Sequence, residues 1–194
     1  GRTAGGIDFG KFKPEGTGTP DDPYRISTPE ALAWYTRGID TGAITQYSGM
    51  DVVLEADIDL LGAEYGSLAV DGQASPLPWY PIGGGQYSEV AFTGTFEGGG
   101  HAVTNMYVPI DFEYTYGYPA HWDSNNRGFF SSIGTGDFDE KNVIRNLTIQ
   151  GVMGGSPPEY GGDDSENVGG LVGSASNLEL FNVDVFATIA CTGM

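Results

Sequence analysis

Two carboxylates on one predicted strand are the strongest candidates for metal or acid–base chemistry. The segment 51–60 alternates polar and apolar residues, which predicts a half-buried strand with Asp57 and Asp59 on its solvent face. Two such carboxylates could bind Ca²⁺. However, the chain has 26 Asp and Glu among 194 residues, so acidic pairs arise readily and a solvated face is the simpler interpretation. We therefore expect no catalytic, cofactor or metal site, with Asp57 and Asp59 as the alternative cation ligands.

An aromatic segment is the candidate for ligand binding. Four rings alternate along the chain and would share one side if it is extended: Phe112, Tyr114, Tyr116 and Tyr118. Together with Trp122 they offer flat apolar faces and polar tips, which suit stacking on sugars or contact with a protein. Alternatively, the rings pack on the helix as a lid over apolar surface that the repeats leave bare. The sequence leaves both interpretations open.

The remaining chemically active side chains are isolated. His101 and His121 have no partner at helical metal-ligand spacing, and both are interpreted as structural or surface residues. Cys191, the only cysteine, has no adjacent basic residue and cannot form an intramolecular disulfide. The glycine runs at 83–85 and 98–100 lack the Lys-Ser/Thr of a phosphate loop. These residues give no support to nucleophilic, zinc or nucleotide chemistry.

The charge balance restricts the partners. Eight Lys and Arg against 26 Asp and Glu give a formal net charge of −18, which repels nucleic acid and anionic membranes. The sequence contains no apolar run of about 18 residues, so we expect no membrane insertion. High acidity with one cysteine fits an extracellular protein of the bacterial cell surface, which is the location we expect, although a cytosolic protein could have the same composition.

One helix is predicted, over residues 28–38. Ser27 with Glu30 forms a capping box, and Thr28 as N-cap with Pro29 at the first helical position is an equally good start. Leu32, Tyr35 and Ile39 share one face, and Gly38 offers a C-terminal stop.

An internal repeat predicts the architecture. The form aliphatic-x-Asn-apolar-x-aliphatic recurs at spacings of 41 and 36, in the segments 103–108, 144–149 and 180–185. Short strands repeated at this spacing favour an all-β parallel β-helix, a solenoid whose coils bury their apolar faces only by stacking. A propeller is the alternative, but its Trp-Asp signature is absent. In a β-helix, Asn105, Asn146 and Asn182 would stack at one left-handed corner.

We expect the whole chain, 1–194, to form one domain. An extended entry segment covers 1–23 and the helix 28–38, and β-helix coils cover 51–190 with insertions at 109–127 and 153–167. The helix would close the N-terminal end. The apolar segment 188–194 has no polar cap, so we expect the C-terminal end to be covered by further repeats or domains of a longer chain.

Several segments resemble the GLUG-motif repeat proteins, which are bacterial surface proteins with right-handed parallel β-helices. The resemblance rests on Trp79-Tyr-Pro-Ile-Gly83, the segment 92–101, Gly128-Phe-Phe130, Asn146-Leu-Thr-Ile149 and Val168-Gly-Gly-Leu-Val-Gly173. It implies a right-handed β-helix and an adhesin-like role at the cell surface, and it assigns no catalytic residue.

Two functional classes therefore remain. The first is a non-enzymatic surface module that binds a glycan or a host protein, or that acts as a stalk. The alternative is a β-helical polysaccharide lyase or glycosidase, which would use carboxylates such as Asp57 and Asp59.

Overall fold

The computed structural model describes residues 3–4, 7–8, 12–41, 50–60, 79, 81–83, 90–109, 126–155 and 167–191. Within these ranges lie one helix and twelve strands. They are β1 (Thr3–Ala4), β2 (Ile7–Asp8), β3 (Tyr24–Ile26), α1 (Pro29–Thr41), β4 (Val52–Leu54), β5 (Ile58–Asp59), β6 (Thr95–Pro109), β7 (Asn126–Arg127), β8 (Phe130–Ile133), β9 (Asn142–Gly155), β10 (Asn167–Val168), β11 (Val172–Ala175) and β12 (Leu178–Cys191).

Parallel pairing dominates the architecture. The largest sheet has the order β12-β9-β6-β4-β3, with β5 paired to β6, and all of its ladders are parallel. Two further parallel pairs, β7–β10 and β8–β11, lie between the long strands in chain order. Only the β1–β2 ladder is antiparallel among the described strand ladders. The prediction of a largely all-β chain is confirmed.

A capped helix lies at the β3 end of the large sheet. Thr28 is the N-cap, because its Oγ1 accepts a hydrogen bond from Ala31 N–H at 3.1 Å. Tyr35 is fully buried, its ring lies 6.1 Å from that of Tyr24, and its hydroxyl donates to the Met50 carbonyl at 3.2 Å. The helix continues through Gly38 to Thr41, so the predicted stop at Gly38 is wrong. A helix tolerates an internal glycine at a cost of only about 1 kcal/mol. Among the described residues, no helix is long and apolar enough to cross a membrane.

One core ladder runs through five strands. Consecutive register partners, from β3 to β12, are Tyr24, Val52, Phe96, Ile144 and Leu180. The first four are at most 6% exposed, whereas Leu180 on the edge strand is 50% exposed. Side chains of one face therefore stack from strand to strand, and the stack is open at β12.

Two other ladders repeat this pattern along the same sheet. They consist of Ile58, Val103, Ile149 and Val185, and of Val108, Met153 and Ile189. In each, every member is buried except the one on β12. The core therefore extends along the stacking direction of the strands.

The segment 79–83 supplies residues to a second part of this core. Trp79 stacks on Phe129 with 4.9 Å between ring centroids, and its indole N–H donates to the Phe129 carbonyl at 3.0 Å. Ile82 is fully buried and bridges in parallel to Phe130. Trp79 and Ile82, which belong to a segment that resembles the GLUG repeats, therefore have structural roles in the core.

The stacking of repeated asparagines is confirmed for two of the three. Asn146 and Asn182 lie 36 positions apart in matched register, both have positive φ, and the Asn182 amide donates to Asn146 Oδ1 at 3.1 Å. Asn105 also has positive φ, at 59°, but it does not stack on Asn146. The sequence repeat predicts that each β6 residue pairs with the β9 residue 41 positions later. In the structure this difference is 48 positions at Glu97 and 45 at Met106, because bulges add residues to β6, so the prediction fails there.

Some predicted boundaries also differ. The alternation over 51–60 is confirmed for Val52, Leu54, Ile58 and Leu60, but the strand divides into β4 and β5. The entry segment 1–23 contains the paired strands β1 and β2. Strands also enter both predicted insertions, since β6 ends at Pro109, β7 begins at Asn126, β9 ends at Gly155 and β10 begins at Asn167.

Candidate functional site

The candidate cation ligands Asp57 and Asp59 are bonded to the neighbouring strand β6. Asp57 Oδ1 accepts a hydrogen bond from Ala102 N–H at 3.0 Å and lies 3.3 Å from His101 Nδ1. Asp59 Oδ1 accepts from the Asn105 amide at 2.8 Å. The Ala102 hydrogen bond and then the His101 ring hold the pKa of Asp57 below its ordinary value. A lowered pKa suits a carboxylate that fixes a strand, and it is the opposite of what a general acid needs.

A second carboxylate, Glu97, holds the corner that precedes the stacked asparagines. Its oxygens accept hydrogen bonds from Gly99 N–H at 2.8 Å, from the Asn146 amide at 3.0 Å and from the Arg145 guanidinium. Burial acts to raise the pKa of Glu97, but these three bonds outweigh it and lower the pKa below the ordinary 4.5. With Asn182, this makes a polar ladder across the three strands β6, β9 and β12, formed by Glu97, Asn146 and Asn182.

In the described ranges, which include His101, no three His, Cys, Asp or Glu side chains cluster closely enough to hold an ion. His121 lies outside the described residues. Cys191 is the last residue of β12.

An open groove of about 660 Å³ lies on the outer side of β6, β9 and β12. Its walls come from three consecutive strands because outward side chains of parallel strands line up in register. Tyr107, Val152 and Thr188 form one row across these strands, and Gln150 pairs with Phe186 in a second row. We call this surface the outer groove.

A bulge in β6 and a glycine in β9 shape the outer groove. The register shifts between Val103 and Met106, which places Asn105 at the groove with a left-handed backbone. Opposite Met106, a Cβ on Gly151 would lie 2.4 Å from the Met106 carbonyl oxygen, so any larger residue would push the strands apart. Gly151 therefore allows β9 to lie close to Met106 of β6.

The described lining of the outer groove is uncharged. It offers two aromatic rings, from Tyr107 and Phe186, and two side-chain amides, from Gln150 and from Asn105, whose NH₂ also donates to Asp59. Phe186 is 64% exposed, so the face of its ring is accessible to a ligand. Amides both donate and accept hydrogen bonds, so this set fits a neutral ligand that has hydroxyl groups and an apolar face.

The predicted ligand-binding residues Phe112, Tyr114, Tyr116, Tyr118 and Trp122 lie outside the described residues, so their role stays a prediction. The segment begins close to the groove in sequence, since Tyr107 precedes Pro109 by two residues. Sequence reasoning missed the groove itself. The signal for it was the alternation along β9 and β12, which marks Gln150 and Phe186 as outward residues.

The fold and the groove define a mainly all-β chain of stacked parallel strands with an uncharged outer groove. No family model and no solved structure matches the chain. Among curated proteins it is similar to halomucin of Haloquadratum walsbyi, with 28% identity over 175 residues. The match covers 90% of this chain and 2% of halomucin, so the chain spans a small part of that relative's length.

Proposed function

We propose that this chain is a non-enzymatic, adhesin-like module of an extracellular surface protein, and that its outer groove binds a neutral glycan. The observation that carries the proposal is the uncharged groove in which the Phe186 ring is 64% exposed beside the amides of Asn105 and Gln150. Aromatic rings stack on the apolar faces of sugars, and amides bond their hydroxyls.

The net charge favours a neutral ligand over an acidic one. A chain with a formal charge of −18 repels uronic or sulfated polysaccharides, whereas a neutral glycan meets no such repulsion. The same argument disfavours a lyase that acts on polyuronides. In addition, Asp57 and Asp59 are engaged with β6, which leaves them poorly placed for catalysis.

The proposed architecture is a right-handed parallel β-helix of the GLUG-repeat type. Its support is the parallel pairing of β3, β4, β6, β9 and β12, together with core ladders that continue from strand to strand. A solenoid of this kind presents long lateral surfaces to a ligand. The extracellular location is supported by the similarity to halomucin, whose name describes a mucin.

The experiment is a screen of neutral and acidic oligosaccharides on an array, followed by calorimetric titration of the best neutral one. Replacing Phe186→Ala should weaken binding at least tenfold, because the ring supplies the stacking face, and Gln150→Ala should weaken it by less. Both residues are exposed, so the melting temperature should hardly change.

Phe138→Ala is the matched control. Phe138 is 98% exposed and lies in the turn before β9, away from the groove, so this variant should bind as the unmodified chain does. Equal loss in the Phe186 and Phe138 variants would overturn the proposal. The absence of binding to every neutral glycan would also reject it and would favour a stalk.

A further inference from the structure

The end of the sheet at β12 exposes side chains that belong to the core. Three β12 side chains are 38–50% exposed, although their register partners on β9 are fully buried. They are Leu180, Val185 and Ile189, opposite Ile144, Ile149 and Met153. The opposite end differs, because α1 packs the buried Trp34 and Tyr35 against Tyr24 of β3.

Among the strands that the structure describes, β12 is paired on one side only, with β9. Natural edge strands are commonly blocked by Lys, Pro or a bulge. The fourteen residues of β12 contain neither Lys nor Pro, their charged side chains are Glu179 and Asp184, and the ladder with β9 keeps one offset of 36 positions. A long strand of this kind, bent only at Asn182 among its described non-glycine residues, is a template for another strand with the same bend.

The geometry at Asn182 specifies what that strand must look like. Asn182 and Asn146 bend the backbone alike, with φ of 51° and 52°, and the amide ladder passes from one to the other. A parallel strand that carries Asn at the same position would continue both the bend and the ladder. A second copy related by a two-fold axis would run antiparallel along β12, so its bends and apolar positions would fall out of step.

We propose that the β12 end is a docking surface for one further parallel coil of the same repeat, 36 residues per coil. In that coil an Asn lies over Asn182, and aliphatic side chains lie over Leu180, Val185 and Ile189. The inference goes beyond the proposed function and does not depend on glycan binding.

The test extends the full chain by a tandem copy of residues 159–194 placed directly after Met194. This segment is 36 residues long, so each copied residue follows its original by the period that separates β12 from β9. Hydrogen exchange should then slow at least 100-fold at the β12 amides that point away from β9, because they become paired.

A matched control carries the same extension with Asp in place of the copied Leu180, Val185 and Ile189, and it should leave β12 exchange unchanged. Unchanged exchange in the first extension, or equal slowing in both, would overturn the proposal. If the extended chain aggregates, the peptide of residues 159–194 is added in trans to the unmodified chain. Unchanged hydrogen exchange of the β12 amides in the presence of this peptide would also overturn the proposal. Sedimentation of the unmodified chain as a dimer that Leu180→Arg dissociates would reject it in favour of a second copy.

Discussion

Ile144 and Leu180 are neighbours in one core ladder, but their truncation to alanine should have unequal costs. Each substitution removes three carbon atoms, worth about 0.8 kcal/mol apiece when fully buried. Ile144 is fully buried, so Ile144→Ala should cost about 2.4 kcal/mol plus a cavity term, or about 3.5 kcal/mol in all. Leu180 is 50% exposed and its site is open, so Leu180→Ala should cost only about 1.2 kcal/mol.

Urea unfolding at pH 7, followed by circular dichroism, measures both costs from the shift in midpoint at constant slope. The expected difference of about 2 kcal/mol is well above the error of such a comparison. Equal losses of about 3.5 kcal/mol would refute the reasoning, because Leu180 would then be buried in solution. A changed slope would show that the variants no longer unfold in the same way.

Two further predictions concern Glu97 and the aromatic segment. The pKa of Glu97 is lowered in the folded state, so its charge stabilises the fold above the unfolded pKa, and this contribution is lost as pH falls through the folded pKa. Glu97→Gln should therefore cost about 1.5 kcal/mol at pH 7 and progressively less below pH 4.5, as measured by urea unfolding across pH. If the aromatic segment binds ligand, replacing Tyr114, Tyr116 and Trp122 together by Ala should abolish glycan binding with little change in melting temperature. If it is a lid, the triple variant should lose several kcal/mol of stability, and a large loss with intact binding would reject the segment as a site.

Local signals in the sequence were sufficient for the helix and for the strand faces. Thr28 and Pro29 mark the start of α1, since capping and the fixed φ of proline act within one turn. The period-two pattern likewise identified Val52 and Ile58 as core residues, because alternation depends only on the local pleat.

Register between strands was harder to predict. The repeated sequence pattern predicts that Asn105 stacks on Asn146. However, relative to β9, β6 contains two extra residues at its glycine run and one more beside Asn105. Bulges of this kind leave the alternation of each strand readable while they change its partner. The position of Tyr107 in the outer groove was missed for the same reason, since the bulges in β6 determine its offset from Gln150 and Val152 on β9.

The stacking of the strands is tested most directly by one distance between spin labels. Arg25 and Phe181 are the ends of a row that continues through Val53, Glu97 and Arg145 on five successive parallel strands. Four steps of about 4.8 Å place their backbones about 19 Å apart. Double electron–electron resonance on Arg25→Cys/Phe181→Cys, in a Cys191→Ser background, should therefore give one narrow distribution centred between about 20 and 25 Å. A centre beyond about 30 Å, or a broad distribution, would contradict the stacked parallel architecture.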